Sequence, residues 1–256
     1  MKDHYGEVAV ARDGHVALLT IDRPPHNHVT VDLMRDLADA LDHIDDEREL
    51  RASVLTTAGK SFCAGADLTA PSGIVNPNAT QGINALYVEA VRLFSVKKPI
   101  VAAVQGAAVG AGLGLALVAD FRVAAPEARF AANFVKLGFH PGFGITHTLP
   151  RVIGALMCLT GRRIKAEEAL AWGLVDEVVP LAELRDAALR LAREIAEAAP
   201  LAVQATRATL RGELAEHVKA QTDHEFVEQS GLRKTADFAE GVRAVAERRP
   251  GRFTGT

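Results

Sequence analysis

Residues 107–120, AAVGAGLGLALVAD, set glycines at 110, 112 and 114 across the point where a β-rich run gives way to a helical one. Alternating glycines at a strand-to-helix turn leave the main chain bare, so some other group must come against it. A helix N-terminus with bare amides is a ready-made anion site. A dinucleotide-binding turn, however, needs glycines at its first, third and sixth positions, and the sixth here is Leu115. A P-loop ends in Gly-Lys followed by Ser or Thr, which this run also lacks. Its amides are therefore aimed at something other than a nucleotide phosphate.

The surrounding pattern is that of an α/β chain. EVAVARDGHVALLTID reads as two short strands around Asp13-Gly14, a hairpin signal, stopped at Arg23-Pro24-Pro25. From Thr30, apolar residues recur at Val31, Met34, Leu37, Ala38, Leu41 and Ile44, the stripe of an amphipathic helix. ASVLTT reads as a buried strand. It leads into AGKSFCAGADL, a glycine-containing loop, and TAPSGIVNPNAT, whose Pro, Gly, Asn and Ser content predicts a long connection. A helix over 80–96, the strand PIVAAVQG, the glycine run with a helix ending near Asp120, and the strand FRVAA complete a recurring strand-and-helix unit. Residues 129–154 mix aromatic residues with Gly and Pro and read as a loop-rich wall. KAEEALAWGLVDEVVP predicts helix then strand, and from Leu181 the chain turns helical, broken at Pro200 and Gly212. A helical tail of that length suits covering a neighbouring subunit.

The chain's 256 residues suffice for a core without disulfide staples. A net charge of −3 with 24% charged residues leaves no dominant basic face, which argues against nucleic acid as a partner. Cys63 and Cys158 lack metal or redox spacing and read as free thiols of a reducing compartment. The N-terminus has no apolar leader, and the longest apolar run is too short and glycine-rich for a bilayer, so a soluble, cytoplasmic protein with no membrane partner is expected. Two local motifs mislead. AGKS at 58–61 imitates a P-loop end, but Val54 stands where its first glycine belongs; HNH at 26–28 reads as a turn, since it lacks further metal-ligand spacing.

Four segments, SFCAGADL, AAVQGAAVGAGLGLALVADFRVA, LGFHPGFG and GRRIKAEEALAWGLVDEVV, together resemble the enoyl-CoA hydratase/isomerase (crotonase) superfamily over nearly the whole chain. The resemblance implies an α/β spiral of repeated ββα units over residues 1–195. A helical region over 196–256 would then mediate homotrimers, often paired into homohexamers. It implies a coenzyme A thioester as substrate, with coenzyme A part of that substrate and neither a further cofactor nor a metal. Two backbone amides, carried over onto Ala66 and Ala111, would form an oxyanion hole; preorganised N–H donors at a helix N-terminus stabilise charge as it develops. Gly110 and Gly112 would let the thioester approach the main chain. Ala64, Asp67, Leu68, Thr69, Gly110, Leu113, Phe134 and Phe139 would bind substrate, Asp67 through a structural hydrogen bond.

The family's hydratases carry two glutamates as acid and base, and the matching positions here are Gly114 and Phe134. Neither can transfer a proton. The aspartate of its dienoyl-CoA isomerases matches Gly142, also empty of a carboxyl. His140 is left as the acid/base candidate, or as a turn residue before Pro141. Phe134, Phe139 and Phe143, with Leu113, would make the acyl pocket drier than a hydratase's. Cys63 and His147 read as packed, structural residues. Two readings stay open: an enzyme acting through an enolate, or a non-catalytic acyl-CoA binding protein on the same scaffold.

Overall fold

The computed structural model describes residues 2–67 and 80–256, except for the side chains of 80–84. The chain opens with β1 (His4–Tyr5), β2 (Val8–Asp13) and β3 (Val16–Ile21), then α1 (Val31–Asp46), β4 (Ala52–Thr57) and α2 (Thr80–Ser95). Next come β5 (Ile100–Val104), β6 (Ala107–Val109), α3 (Ala111–Val118), β7 (Phe121–Ala124) and β8 (Arg129–Ala131). A 3-10 turn (Asn133–Leu137), α4 (Ile145–Ile153), α5 (Leu156–Thr160), β9 (Arg163–Lys165), α6 (Ala166–Ala171) and β10 (Glu177–Val178) follow. The chain ends in α7 (Leu184–Glu197), α8 (Pro200–Arg211), α9 (Leu214–Leu232) and α10 (Ala236–Ala246).

Among the described residues, seven strands form one sheet in the order β1-β2-β3-β4-β5-β7-β10, antiparallel at the hairpin end and parallel from β3 onward. Parallel strands need crossovers, and their helices bury both sheet faces, which is why these strands are apolar without a polar side. In β5, Ile100, Ala102 and Val104 enter the larger core, while Val101 and Ala103 point the other way, onto α7. The period of two does this. On the α7 face, Ala187, Ala188, Ala192 and Ala196 let the helix lie close to the sheet.

α1 starts where the sequence predicts: the Thr30 hydroxyl accepts from the Leu33 amide at 3.1 Å, and the apolar stripe from Leu33 to Ile44 is buried. The wall over 129–154 is more regular than expected, because β8 pairs with β6 and β9 while α4 is held by tertiary contacts. Its Gly and Pro mark the joints between these pieces, such as Gly138 and Gly144, which propensity alone reads as loop. Proline opens α8 and Gly212 ends it. Arg207 and Arg211 of α8 hold Asp120 at 3.0 and 2.9 Å, and Asp120 also accepts from the Ile100 amide, so the tail is tied to the turn that follows α3. α9 packs along α2 and α4.

Candidate functional site

Three segments converge at the N-terminus of α3. The loop after Phe62 runs beside β6, with the Cys63 amide donating to the Ala107 carbonyl at 2.9 Å and the Val109 amide donating to the Cys63 carbonyl at 3.0 Å. On its other side, the Val29 amide donates to the Gly65 carbonyl at 2.9 Å, and Asn27 donates to the carbonyls of Ala58 and Ser61, both at 2.8 Å. Residues 26–28 are thus a turn that clamps this loop. A side chain at Gly112 would overlap the Cys63 carbonyl, and one at Gly65 would lie 2.7 Å from the Val109 carbonyl. The clearance at Gly112, expected to admit a thioester, admits the chain's own loop instead.

This packing brings Ala66 and Ala111 onto one cavity of about 80 Å³, with Ala64, Gly110, Phe134 and Phe139 also lining it. Ala111 is the first residue of α3, where a helical amide has no intrahelical acceptor. The bond between Val29 and the Gly65 carbonyl does not use the Ala66 amide. Leu113 is fully buried in the core and does not line the cavity. Asp67 is half-buried beside Ala66. Leu68 and Thr69 lie outside the described residues. The His140 ring is not in the cavity wall: its Nδ1 lies 2.7 Å from the Pro141 carbonyl, and the ring meets His224 edge-on with centroids 6.1 Å apart.

Phe134, Gly114 and Gly142, where the sequence resemblance leads carboxylates to be expected, carry other groups. Phe134 itself lines the cavity. At Gly114, an added Cβ would meet the fully buried Phe143 ring, 2.6 Å from its Cδ1. At Gly142, it would meet the Tyr87 hydroxyl and, at 2.5 Å, Nε2 of Gln229. Aromatic and amide side chains therefore fill the space beside both glycines.

Tyr87, Gln229 and Asn133 are cavity residues that the sequence does not single out. The Tyr87 hydroxyl donates to Oε1 of Gln229 at 2.8 Å, and Nε2 of Gln229 donates to the His140 carbonyl at 2.9 Å. Burial and then the nearby Glu225 charge push the Tyr87 phenol upward, so it is a neutral donor. Tyr87 and Gln229 are 142 positions apart and meet only because α9 lies on α2. Glu225, fully buried on α9, accepts from the Gly144 amide at 2.8 Å and from the Thr146 amide and hydroxyl at 3.2 and 2.6 Å, holding the start of α4. Burial raises its carboxyl to about 7 against these three donors. Burial also pushes the Cys63 thiol up to about 12, leaving it unreactive. His147 is buried and stacked on His217 with centroids 5.2 Å apart. Among the described residues, no group of three or more His, Cys, Asp or Glu could hold a metal ion, and no helix is long and apolar enough to cross a membrane.

The sequence and fold both have close counterparts. A family model described as "Enoyl-CoA hydratase/isomerase" matches residues 11–256. Carnitinyl-CoA dehydratase of Salmonella arizonae is 35% identical over 257 residues, covering 96% of this chain and 97% of that protein. The crystal structure of an enoyl-CoA hydratase/isomerase from Pseudoalteromonas atlantica T6c superposes with a TM-score of 0.86 at 33% identity, over 97% of this chain and 100% of the other. That of a carnitinyl-CoA hydratase from Mycobacterium avium gives a TM-score of 0.84 at 34% identity over the whole of both chains.

Proposed function

We propose, because this chain belongs to the enoyl-CoA hydratase/isomerase (crotonase) family, that its cavity receives the acyl end of a coenzyme A thioester. The amides of Ala66 and Ala111 stabilise the charge that develops on the thioester oxygen. The observation that carries this reading is that both residues line one cavity at the N-terminus of α3, where the helix dipole adds to the amides. One such donor contributes roughly 3 kcal/mol to transition-state stabilisation. Coenzyme A enters as part of the substrate, and the reading requires neither a metal nor a further cofactor.

The reaction differs from two-glutamate hydration. No carboxylate lines the cavity among the described residues, and its one ionisable side chain there is Tyr87. Relatives named for dehydration or hydration of carnitinyl-CoA favour a lyase-type step on the thioester's enolate. Tyr87, already hydrogen-bonded to Gln229, is then the side chain that meets the acyl group, and His140, with its Nδ1 against the Pro141 carbonyl, is the turn residue rather than the acid/base. The absence of a carboxylate also supports a second reading, an acyl-CoA binding protein without turnover. Assembly into trimers or hexamers through the C-terminal helices belongs to the same family reading.

The test is a titration with crotonyl-CoA followed by turnover of enoyl- and dienoyl-CoA thioesters at high protein concentration, with His140→Ala and Tyr87→Phe alongside. Binding with slow turnover that falls in Tyr87→Phe supports the enzyme; binding without any turnover supports the second reading. Rapid hydration of crotonyl-CoA, unchanged in both variants, would overturn this account of the site. Failure of saturating thioester to raise the melting temperature would remove the ligand assignment itself.

A further inference from the structure

Arg233, at the C-terminal end of α9, is only 5% exposed, yet none of its three guanidinium nitrogens has a hydrogen-bond partner. A guanidinium cannot shed its charge at neutral pH, so burying it unpaired is strongly unfavourable unless an anion completes it. The chain supplies none among the described residues. Glu225, two turns earlier on α9, is engaged by Gly144 and Thr146; Asp237 accepts from the amides of Thr254 and Gly255; and Glu240 is held by Arg243 and Arg249.

Arg233 stands behind the cavity wall and is not one of its lining residues. Its guanidinium lies 5.6 Å from the centre of the Phe139 ring, and Phe139 lines the cavity. One turn earlier on the same helix face, Gln229 lines it too. The Arg233 charge also reaches the Tyr87 phenol, which donates to Gln229.

We propose that Arg233 is the counter-charge for an anionic acyl chain, so that the site takes short acyl-CoA thioesters ending in a carboxylate. This rests on the acyl-CoA reading above and adds the substrate class to it. A cavity of about 80 Å³ suits a short chain. Tyr87 and Gln229 supply neutral polar groups in the wall, and the guanidinium behind that wall supplies the charge opposite to the carboxylate. The same charge opposes a quaternary ammonium on the acyl chain.

The test uses the full chain and three thioesters with one enoyl core: crotonyl-CoA, and its analogues bearing a carboxylate or a trimethylammonium group on the terminal carbon. Affinities are measured by calorimetry for the wild type, Arg233→Met and Arg233→Lys. The wild type is expected to bind the carboxylate analogue at least tenfold more tightly than crotonyl-CoA, and the trimethylammonium analogue more weakly. Arg233→Met should abolish that preference, bringing the affinities for the carboxylate analogue and crotonyl-CoA to within about twofold of each other, and Arg233→Lys should retain part of it. Equal wild-type affinities for the carboxylate analogue and crotonyl-CoA would overturn the proposal. So would a loss shared equally by all three thioesters in Arg233→Met, or a change in sedimenting mass with unaltered charge preference, which would assign Arg233 to a subunit contact. If Arg233→Met fails to fold, the wild-type series and the lysine variant decide. Binding of crotonyl-CoA without charge discrimination sinks this inference alone, whereas binding of none of the three sinks the acyl-CoA reading with it.

Discussion

Phe143 has a backbone φ of +64° and is completely buried, a conformation that disfavours a bulky side chain yet is held here by packing. Its ring lies over Gly114, so its position requires that residue 114 carry no Cβ. Gly114→Ala would gain about 1 kcal/mol from helix propensity on an exposed helix, but here the new Cβ meets both the ring and its Cβ, the latter at 2.9 Å. Backbone and ring cannot both yield inside a packed core, so we expect a net destabilisation of about 1–3 kcal/mol in urea unfolding. The loss should shrink in a Phe143→Ala background, and full additivity of the two substitutions would show that they do not share this space. For the same reason Gly114→Glu with Phe134→Glu should install no crotonyl-CoA hydration. That 114 and 134 lack carboxyls is plain from the residues; that Phe143 occupies the space beside 114 is not, because the two lie 29 positions apart in the chain.

At the scale of elements, two helix N-termini carry the argument. Ala111 opens α3, and proline is tolerated at a first helical position because its missing N–H had no intrahelical acceptor. Ala111→Pro should therefore leave the fold intact while removing one donor from the cavity. We expect roughly a hundredfold loss in kcat/KM for any thioester the protein turns over, with the circular dichroism spectrum unchanged. At α4 the device is electrostatic. The folded-state pKa of Glu225 is raised to about 7 from an ordinary 4.5, so the native state binds its proton more tightly than the unfolded chain does. Stability from this group is fully present below the unfolded value and is lost as pH rises through about 7. The loss is on the order of 3 kcal/mol across that window. Glu225→Gln keeps an acceptor for Thr146 without the charge, and should flatten the urea-unfolding profile between those pH values. An unchanged slope would mean that another group titrates there. α1 was legible because its cap and stripe are local, whereas the start of α4 depends on a carboxylate 79 positions away.

For the whole molecule, α8 leaves Leu201 and Leu210 at 80% and 82% exposure on a helix whose arginines are anchored inward. If this helix takes part in the proposed assembly, Leu201→Glu with Leu210→Glu should shift sedimentation from a trimer or larger species toward the monomer. Unchanged sedimentation of an assembled protein would move the contact elsewhere.

The strands, α1, the glycine turn and the family are written in local periods, caps and spacings, which act between near neighbours and can be read in order along the chain. The bare main chain at 110–114 was visible in the same way. Its close partners were not: the Cys63 carbonyl against Gly112, the Phe143 ring against Gly114, and the Tyr87–Gln229 pair against Gly142. These are contacts between segments far apart in sequence. A glycine records only that something comes close, and the tertiary structure alone decides what that is.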